Sequence, residues 1–366
     1  MANFTLEEDD FISEINIKVI GVGGGGGNAL NKMVEEGIKD VQFIAVNTDV
    51  RALKNSNADV RVQIGQKLTR GRGAGNKPVI GAQSAEENHD ELVDAIRGAS
   101  MVFVSAGMGG GTGTGAAPVV AQIAKDMDIL TVAVVTKPFD FEQKAKMDQA
   151  ELGIAELRKH VDSLVVIPNQ KLLSTIDRAP TMMDCFKMAD DILKTGVKSI
   201  AELITRDGLI NVDFADVETT MKNAGIAHMA VGHGSGKDKA NEAANAVITS
   251  PLLETSIKGA RRLLVNVVMS PDTLSTDMES VANAISGAAD DTVQTIFGAA
   301  FDENLKDEML VTAIACEFPE YDEVATGVTK ISGEDADTDG EESIAASDTV
   351  PDYMADFKDL LGMFNK

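Results

Sequence analysis

At 366 residues and 44% hydrophobic content the chain can build a sizeable core or two domains, and with 4% aromatics and no Trp that core must be aliphatic. The net charge of −25 argues against nucleic acid as a direct partner and against direct docking on anionic lipid, since both attract basic faces. No run of about 18 apolar residues marks a membrane-inserted helix; the acidic Glu7-Glu8-Asp9-Asp10 is unlike a secretory leader, and Cys185 and Cys316 lack metal-ligand spacing, so the expectation is a cytoplasmic protein with buried thiols.

Residues 1–14 read as a loosely held arm. From 15 to 180 apolar strands (Ile15–Val22, Val41–Val46, Met101–Val104, Thr131–Val135, Ser163–Ile167) alternate with helical runs. This predicts an α/β domain with a parallel sheet, whose ligand sits at the carboxyl ends of the strands. The first strand runs into Gly21-Val22-Gly23-Gly24-Gly25-Gly26-Gly27-Asn28, ahead of a helix expected over Ala29–Glu36. Gly21, Gly23 and Gly26 satisfy the G-x-G-x-x-G fingerprint of dinucleotide binding, a weak signal alone. The second strand ends in Asn47-Thr48-Asp49, an acid that could meet a ribose hydroxyl.

After Met101–Val104 comes the most specific stretch, Gly107-Met108-Gly109-Gly110-Gly111-Thr112-Gly113-Thr114-Gly115, followed by a helix expected to carry Pro118 in its first turn. Glycines allow close backbone approach, and a helix start presents free N–H groups, so the two together make a phosphate site. The loop has no lysine and is not the GxxxxGK[ST] loop. Backbone N–H groups, the Thr112 and Thr114 hydroxyls and a metal ion are expected to carry the phosphate charge.

Residues 181–206 form a long helical run with Phe186, Ala189, Ile192, Leu193, Val197, Ile200, Leu203 and Ile204 on one face, read as a spine. Residues 207–318 read as a smaller α+β domain, with strands at Met229–Gly232, Arg262–Met269 and Met309–Cys316 and helices at Lys239–Thr249 and Thr276–Ala289. It opens on Asn211-Val212-Asp213-Phe214-Ala215-Asp216. Asp213 and Asp216 fall on one face of a helix start, where they can orient a water or cap the helix. Residues 319–348 hold ten carboxylates against Lys330 and read as a disordered acidic linker. Residues 349–366 return to helical spacing through Tyr353, Phe357, Leu360, Leu361 and Phe364, the pattern of a partner-docking peptide.

Taken together, the spaced motifs resemble the FtsZ family, the bacterial homologues of tubulin. GGGTGTG at 109–115 is similar to the tubulin/FtsZ signature and residues 211–216 to the family's synergy loop; Val134–Phe139 and Ser250–Leu253 are similar to other family segments. The resemblance spans about 15–318 and implies a tubulin-like fold, GTP/GDP with Mg²⁺, GTP hydrolysis, and head-to-tail homopolymers at mid-cell. It implies that Gly24, Gly25, Gly26, Gly27 and Asn28, with Gly111, Thr112 and Gly113, hold the phosphates, and that Asn47 belongs to the nucleotide-contacting set. Glu142 meets the ribose, Phe186 stacks on the base, and Asn169 and Asp190 read its edge. Asn211, Asp213 and Asp216 of the next subunit position the attacking water. Lys146 stands where the family has a phosphate-approaching arginine, and the terminal peptide lacks the usual Ile-Pro-x-Phe-Leu core, which implies a membrane adaptor other than the usual one. A nicotinamide-dependent oxidoreductase, or a nucleotide-gated scaffold without turnover, are the alternatives.

Overall fold

The computed structural model describes residues 15–175, 179–205, 208–253, 257–289 and 292–318. The expected arm 1–14, linker 319–348 and terminal peptide 349–366 lie outside these. Ten strands are β1 (Ile17–Val22), β2 (Val41–Asn47), β3 (Val60–Gln63), β4 (Met101–Gly107), β5 (Leu130–Lys137), β6 (Ser163–Pro168), β7 (Gly225–Ser235), β8 (Arg262–Met269), β9 (Gln294–Phe301) and β10 (Glu308–Cys316). The helices are α1 (Gly23–Glu35), α2 (Val50–Lys54), α3 (Gln66–Thr69), α4 (Pro78–Glu87), α5 (His89–Ile96), α6 (Thr112–Asp126), α7 (Lys144–Leu157), α8 (Asn169–Leu172), α9 (Met182–Thr205), α10 (Phe214–Met221), α11 (Lys239–Ile248) and α12 (Ser275–Ala288).

All ten strands belong to one sheet of order β3-β2-β1-β4-β5-β6-β7-β10-β8-β9. β1 to β6 are parallel, and β1, β4 and β5 are buried nearly throughout, as a sheet covered on both faces requires. One face packs on α1, α9 and α10 through Leu30, Met33, Leu193, Val197 and Val217; the other packs on α4, α5, α6 and α7 through Ala82, Leu92, Val120 and Ile154. β7 joins β6 over a short seam, Gly225 to Ala227, then turns to pair antiparallel with β10. α11 and α12 cover this second part of the sheet around Val247, Val265 and Val281. Leu203, Leu264 and Ile314 share a core with Val134, so α9 packs on both parts of the sheet. Cys185 and Cys316 are buried thiols, and burial pushes Cys316 up to about 12.

Two expectations shift. α1 begins at Gly23 rather than Ala29, and α6 begins at Thr112, which puts Pro118 in the interior of the helix rather than its first turn. Gly23 to Gly27, and Gly113 and Gly115, are helix, whereas Gly109 to Gly111 stay in the turn before α6. The reason is steric: these first turns touch neighbouring backbone, and only glycine allows it. A Cβ on Gly113 would sit 2.6 Å from the Gly107 carbonyl oxygen, and one on Gly26 would overlap that of Ser105. α4 and α6 meet the same way. A Cβ on Gly81 would overlap the Gly111 carbonyl oxygen, and one on Gly115 that of Pro78. β3 and β9, absent from the sequence reading, are the two edges of the sheet.

The α4–α6 contact yields a test. Gly115→Ala forces the helices apart and is expected to lower stability by about 1–3 kcal/mol, the usual penalty of overpacking, read as a shifted urea midpoint. An unchanged midpoint would show that the helices have room to spare.

Candidate functional site

The parallel strands change direction of succession between β1 and β4, and ligands in open α/β sheets sit at the carboxyl ends of strands at such a reversal. α1 and α6 start there side by side. Gly23 takes φ +73°, conformationally natural for glycine, and a Cβ on it would lie 2.8 Å from the Gly113 nitrogen. Two helix N-termini thus converge on one spot, each presenting unpaired N–H groups and the positive end of its dipole. They open on a cavity of about 450 Å³.

Gly24, Gly25, Asn28, Gly111, Thr112, Gly113, Glu142, Lys146, Asn169, Phe186 and Asp190, all sequence candidates, line this cavity. Of the residues that the family resemblance assigns to the nucleotide, three do not. Gly26 is buried against β4, while Gly27 and Asn47 line an adjoining cavity of about 140 Å³ between α1 and β2, which shares Gly24 and Asn28 with the first. Asn47 Oδ1 there accepts from the Asp49 N–H at 3.1 Å. Asp49 caps α2 by accepting from the Arg51 N–H at 2.8 Å. The glycines divide by role. A Cβ on Gly24, Gly27 or Gly110 would meet nothing within 4 Å, whereas one on Gly111 would strike Lys77 N at 2.8 Å and Ala74 Cβ at 2.9 Å. Gly111 is therefore needed for packing on the 74–77 turn, and Gly24 and Gly110 leave the cavity open.

The hydroxyls divide too. Thr112 Oγ1 shares a 2.7 Å hydrogen bond with Thr48 Oγ1 at the cavity edge. Thr114 is fully buried and accepts from the Gly109 N–H at 2.8 Å, so it shapes the turn instead of facing a phosphate. Glu142 accepts from the Phe139 N–H at 3.0 Å and pairs with Lys146 Nζ at 2.9 Å. Phe186, exposed at the mouth, meets Phe139 and Phe141 edge to face with centroids 5.8 and 6.2 Å away, which orients its ring. Asn169 is buried, and its Oδ1 has no hydrogen-bond partner among the described residues. An unpaired buried amide oxygen costs about 1–3 kcal/mol, so its presence in the cavity wall marks a place for a ligand donor. Asp190 is half-buried on α9. Burial raises its pKa, Lys32 opposes the rise and Asp191 adds to it.

Sequence reading missed three contributions. Met108, Thr136 and Pro138 complete the wall from the ends of β4 and β5. Lys32, on the buried flank of α1, pairs with Asp190. The segment Arg70-Gly71-Arg72-Gly73-Ala74-Gly75-Asn76-Lys77 ends against Gly111 through Ala74, Asn76 and the Lys77 backbone; its alternation of Gly with basic residues was the available signal.

Asn211, Asp213 and Asp216 are elsewhere. Asn211 Oδ1 accepts from the Gly208 N–H at 2.6 Å, and Asp213 caps α10 by accepting from the Asp216 N–H at 2.8 Å. Both acids are exposed. Gly208 and Ile210 flank Glu202 and Leu203 in the last turn of α9, whereas Phe186 and Asp190 stand in its early turns. At 1.5 Å per residue, roughly 20–25 Å of helix separates the two groups. A larger cleft of about 740 Å³, lined by Asn16, Asp40, Asp59 and Thr205 among others, has neither glycine turn nor helix N-terminus.

A dinucleotide enzyme shares the β3-β2-β1-β4-β5-β6 order but needs one glycine-headed helix; two of them, continued through a long helix into a second set of strands, define a nucleotide-binding protein of the tubulin-like class. Matching of known domains gives the same result: the Tubulin/FtsZ family, GTPase domain, matches residues 16–177, and the FtsZ family, C-terminal domain, matches residues 225–319. An empty FtsZ dimer from M. jannaschii is 43% identical with a TM-score of 0.80, over 83% of this chain and 88% of that one. A mutant form of M. jannaschii FtsZ is 42% identical with a TM-score of 0.81, over 84% of this chain and 92% of that one. The fold likeness reaches CetZ2 from Haloferax volcanii, described as a GTPγS-bound protofilament, at 22% identity and a TM-score of 0.69 over 82% and 92%. The chain belongs to the FtsZ family, a family of GTPases.

Two substitutions probe the cavity. Gly24→Val projects into open space, so it is expected to weaken fluorescent GTP-analogue binding by at least about 100-fold, through the loss of close backbone approach. Asn169→Ala removes the orphaned oxygen. It should weaken binding about tenfold, the scale of one hydrogen bond, without lowering the melting temperature of the nucleotide-free protein. Wild-type affinity in both variants would place the nucleotide elsewhere.

Proposed function

We propose that this chain is a self-assembling GTPase of cell division, which stacks head to tail and hydrolyses GTP at sites shared by two subunits. The observation that carries the reading is the separation of Asp213 and Asp216 from the cavity by most of the length of α9. Exposed carboxylates at one end and an open phosphate cradle at the other cannot meet within one subunit. In a head-to-tail stack they do, and such a heterologous contact, when it does not close, extends into a filament. The M. jannaschii FtsZ dimer and the Haloferax protofilament are relatives that assemble.

Within the cavity, the first turns of α1 and α6 supply N–H donors to the phosphates. Phe186 stacks on the base, and Glu142, already oriented by the Phe139 N–H, stands within reach of the ribose. Asp190 accepts from guanine N1–H and the 2-amino group, which adenine lacks, and Asn169 Oδ1 takes a further donor. Rejection of ATP then follows from leaving buried acceptors unpaired. Among the described residues no group of three or more His, Cys, Asp or Glu side chains could hold a metal. Mg²⁺ would therefore be held mainly by phosphate oxygens, where it neutralises developing charge. Asp213 and Asp216 from the next subunit orient the attacking water and hold its proton.

Among the described residues no helix is long and apolar enough to cross a membrane. Recruitment to a mid-cell membrane is assigned to the peptide 349–366, through an adaptor, on sequence grounds: its apolar positions keep helical spacing behind an acidic tether.

The capping bond made by Asp213 dictates the choice of variant. Ala removes both charge and cap, at about 0.5–2 kcal/mol; Asn keeps a capping oxygen. Asp213→Asn and Asp216→Asn should each retain GTP binding and lose hydrolysis by about 10²–10⁴. Asp213→Asn mixed with Gly24→Val should regain activity, because some junctions then join an intact cavity to intact acids. Wild-type activity per subunit should rise with protein concentration. Flat specific activity together with no regain in the mixture would refute a shared site.

A further inference from the structure

Lys32 projects from the third turn of α1 towards α9. Its ammonium donates to the Lys187 carbonyl oxygen at 2.9 Å and to Asp191 Oδ1 at 3.2 Å, and it pairs with Asp190 Oδ2 at 3.5 Å. Two of the ammonium's three donors are thus used in hydrogen bonds, and its contact with Asp190 is an ion pair. The lysine side chain is 24% exposed and that of Asp190 19% exposed, so the pair is only partly screened by water. Asp190 Oδ1 has no hydrogen bond among the described residues, and the residue lines the cavity. One oxygen of the carboxylate is thus paired with a cation of α1, the helix whose first turn lines the same cavity, and the other is free to accept from a base.

The geometry points to Lys32 as the positioning residue that fixes the Asp190 carboxylate, ionised and correctly turned, against the guanine edge. The inference rests on the reading of Asp190 as the guanine acceptor. A carboxylate can accept from both N1–H and the 2-amino group; a carboxylic acid offers one oxygen as a donor and loses the match. Burial works against the ionised form of Asp190, and the like charge of Asp191 works in the same direction. The opposing charge facing Asp190 from α1 is Lys32. Asp191 itself is shared with Lys194, and Lys194 and Lys198 are engaged by Glu36 just past the end of α1, so those two lysines are committed further along the helix pair. Among the described residues Lys32 is the cation that pairs with Asp190, while Lys146 of the same cavity is paired with Glu142.

The sign of the pH dependence follows. Protonation of Asp190 weakens guanine binding, so affinity falls as pH drops through its pKa. Removing Lys32 raises that pKa and moves the fall to higher pH. Removing the charge of Asp191 lowers it and moves the fall to lower pH.

The experiment is competition of GTP, ITP and ATP against a fluorescent GTP analogue between pH 5.5 and 8.5, on the full chain. K32M should shift the acid limb of GTP affinity upward by about one pH unit, a tenfold loss on that limb, with affinity recovering towards pH 8.5. K32R should follow the wild type, and D191N should shift the limb the opposite way. ITP, which lacks the 2-amino group, should show a smaller pH effect than GTP. A pH-independent loss in K32M that K32R does not rescue would overturn the proposal by reducing Lys32 to a packing role. If K32M does not fold, an unshifted limb in D191N overturns it as well. D190N separates the two levels: an unchanged preference for GTP over ATP there refutes base reading by Asp190 itself.

Discussion

The structure depends on one steric constraint, the backbone-to-backbone approach of α1 and α6 where they leave β1 and β4. The first turns of the two helices lie against each other and against β4, at distances that no Cβ tolerates at Gly23, Gly26 and Gly113. That approach sets two rows of N–H donors side by side. It also commits the reversal of strand order to this place, since each helix must cross back over its own face of the sheet. The proposed phosphate cradle is thus a product of main-chain packing and needs no lysine in the loop. Glycine carries an entropic penalty in a helix interior of about 1 kcal/mol relative to Ala, and here several are tolerated because a larger residue would separate the helices.

Much of this was legible in the sequence. Strands buried on both faces, such as Val19 to Val22 and Val102 to Val104, show as apolar runs, and glycine clusters directly after them mark the ligand end of the sheet. The legible part ended where pattern and packing diverge. β3 and β9 escaped because they are edges: β3 is four residues that alternate Val with polar side chains, and Gly298 interrupts β9. The helix starts were placed late because glycine reads as a loop former, although here close approach requires it inside the helix. Thr114 looked like a phosphate ligand because a hydroxyl in a glycine turn is ambiguous; only the fold shows it turned inward to Gly109.

The site residues show a further limit. Glu142, Phe186 and Asp190 are separated in sequence by ordinary helical and turn segments, and only the family resemblance singled them out; the fold brings all three to one cavity. Lys32 had no such marker. Its significance comes from α1 and α9 running side by side on one face of the sheet, a fact of tertiary packing that spacing along α1 cannot reveal. Asp213 was readable both as a cap and as an acid for water, and the structure shows the capping bond while leaving the carboxylate exposed, so the two roles are compatible.

The length of α9 has a consequence for the filament as a polyelectrolyte. In the proposed head-to-tail stack the 24-residue helix sets the scale of a subunit's advance, on the order of 40 Å with its flanking turns. Each subunit carries 25 net negative charges. The stack then holds about one charge per 1.6 Å of axis, close to the roughly 1.7 Å of double-stranded DNA. At that linear density counterions accumulate along the polymer and are part of its free energy. Lengthening the filament draws cations from solution, and ionic composition becomes a reactant in assembly alongside GTP.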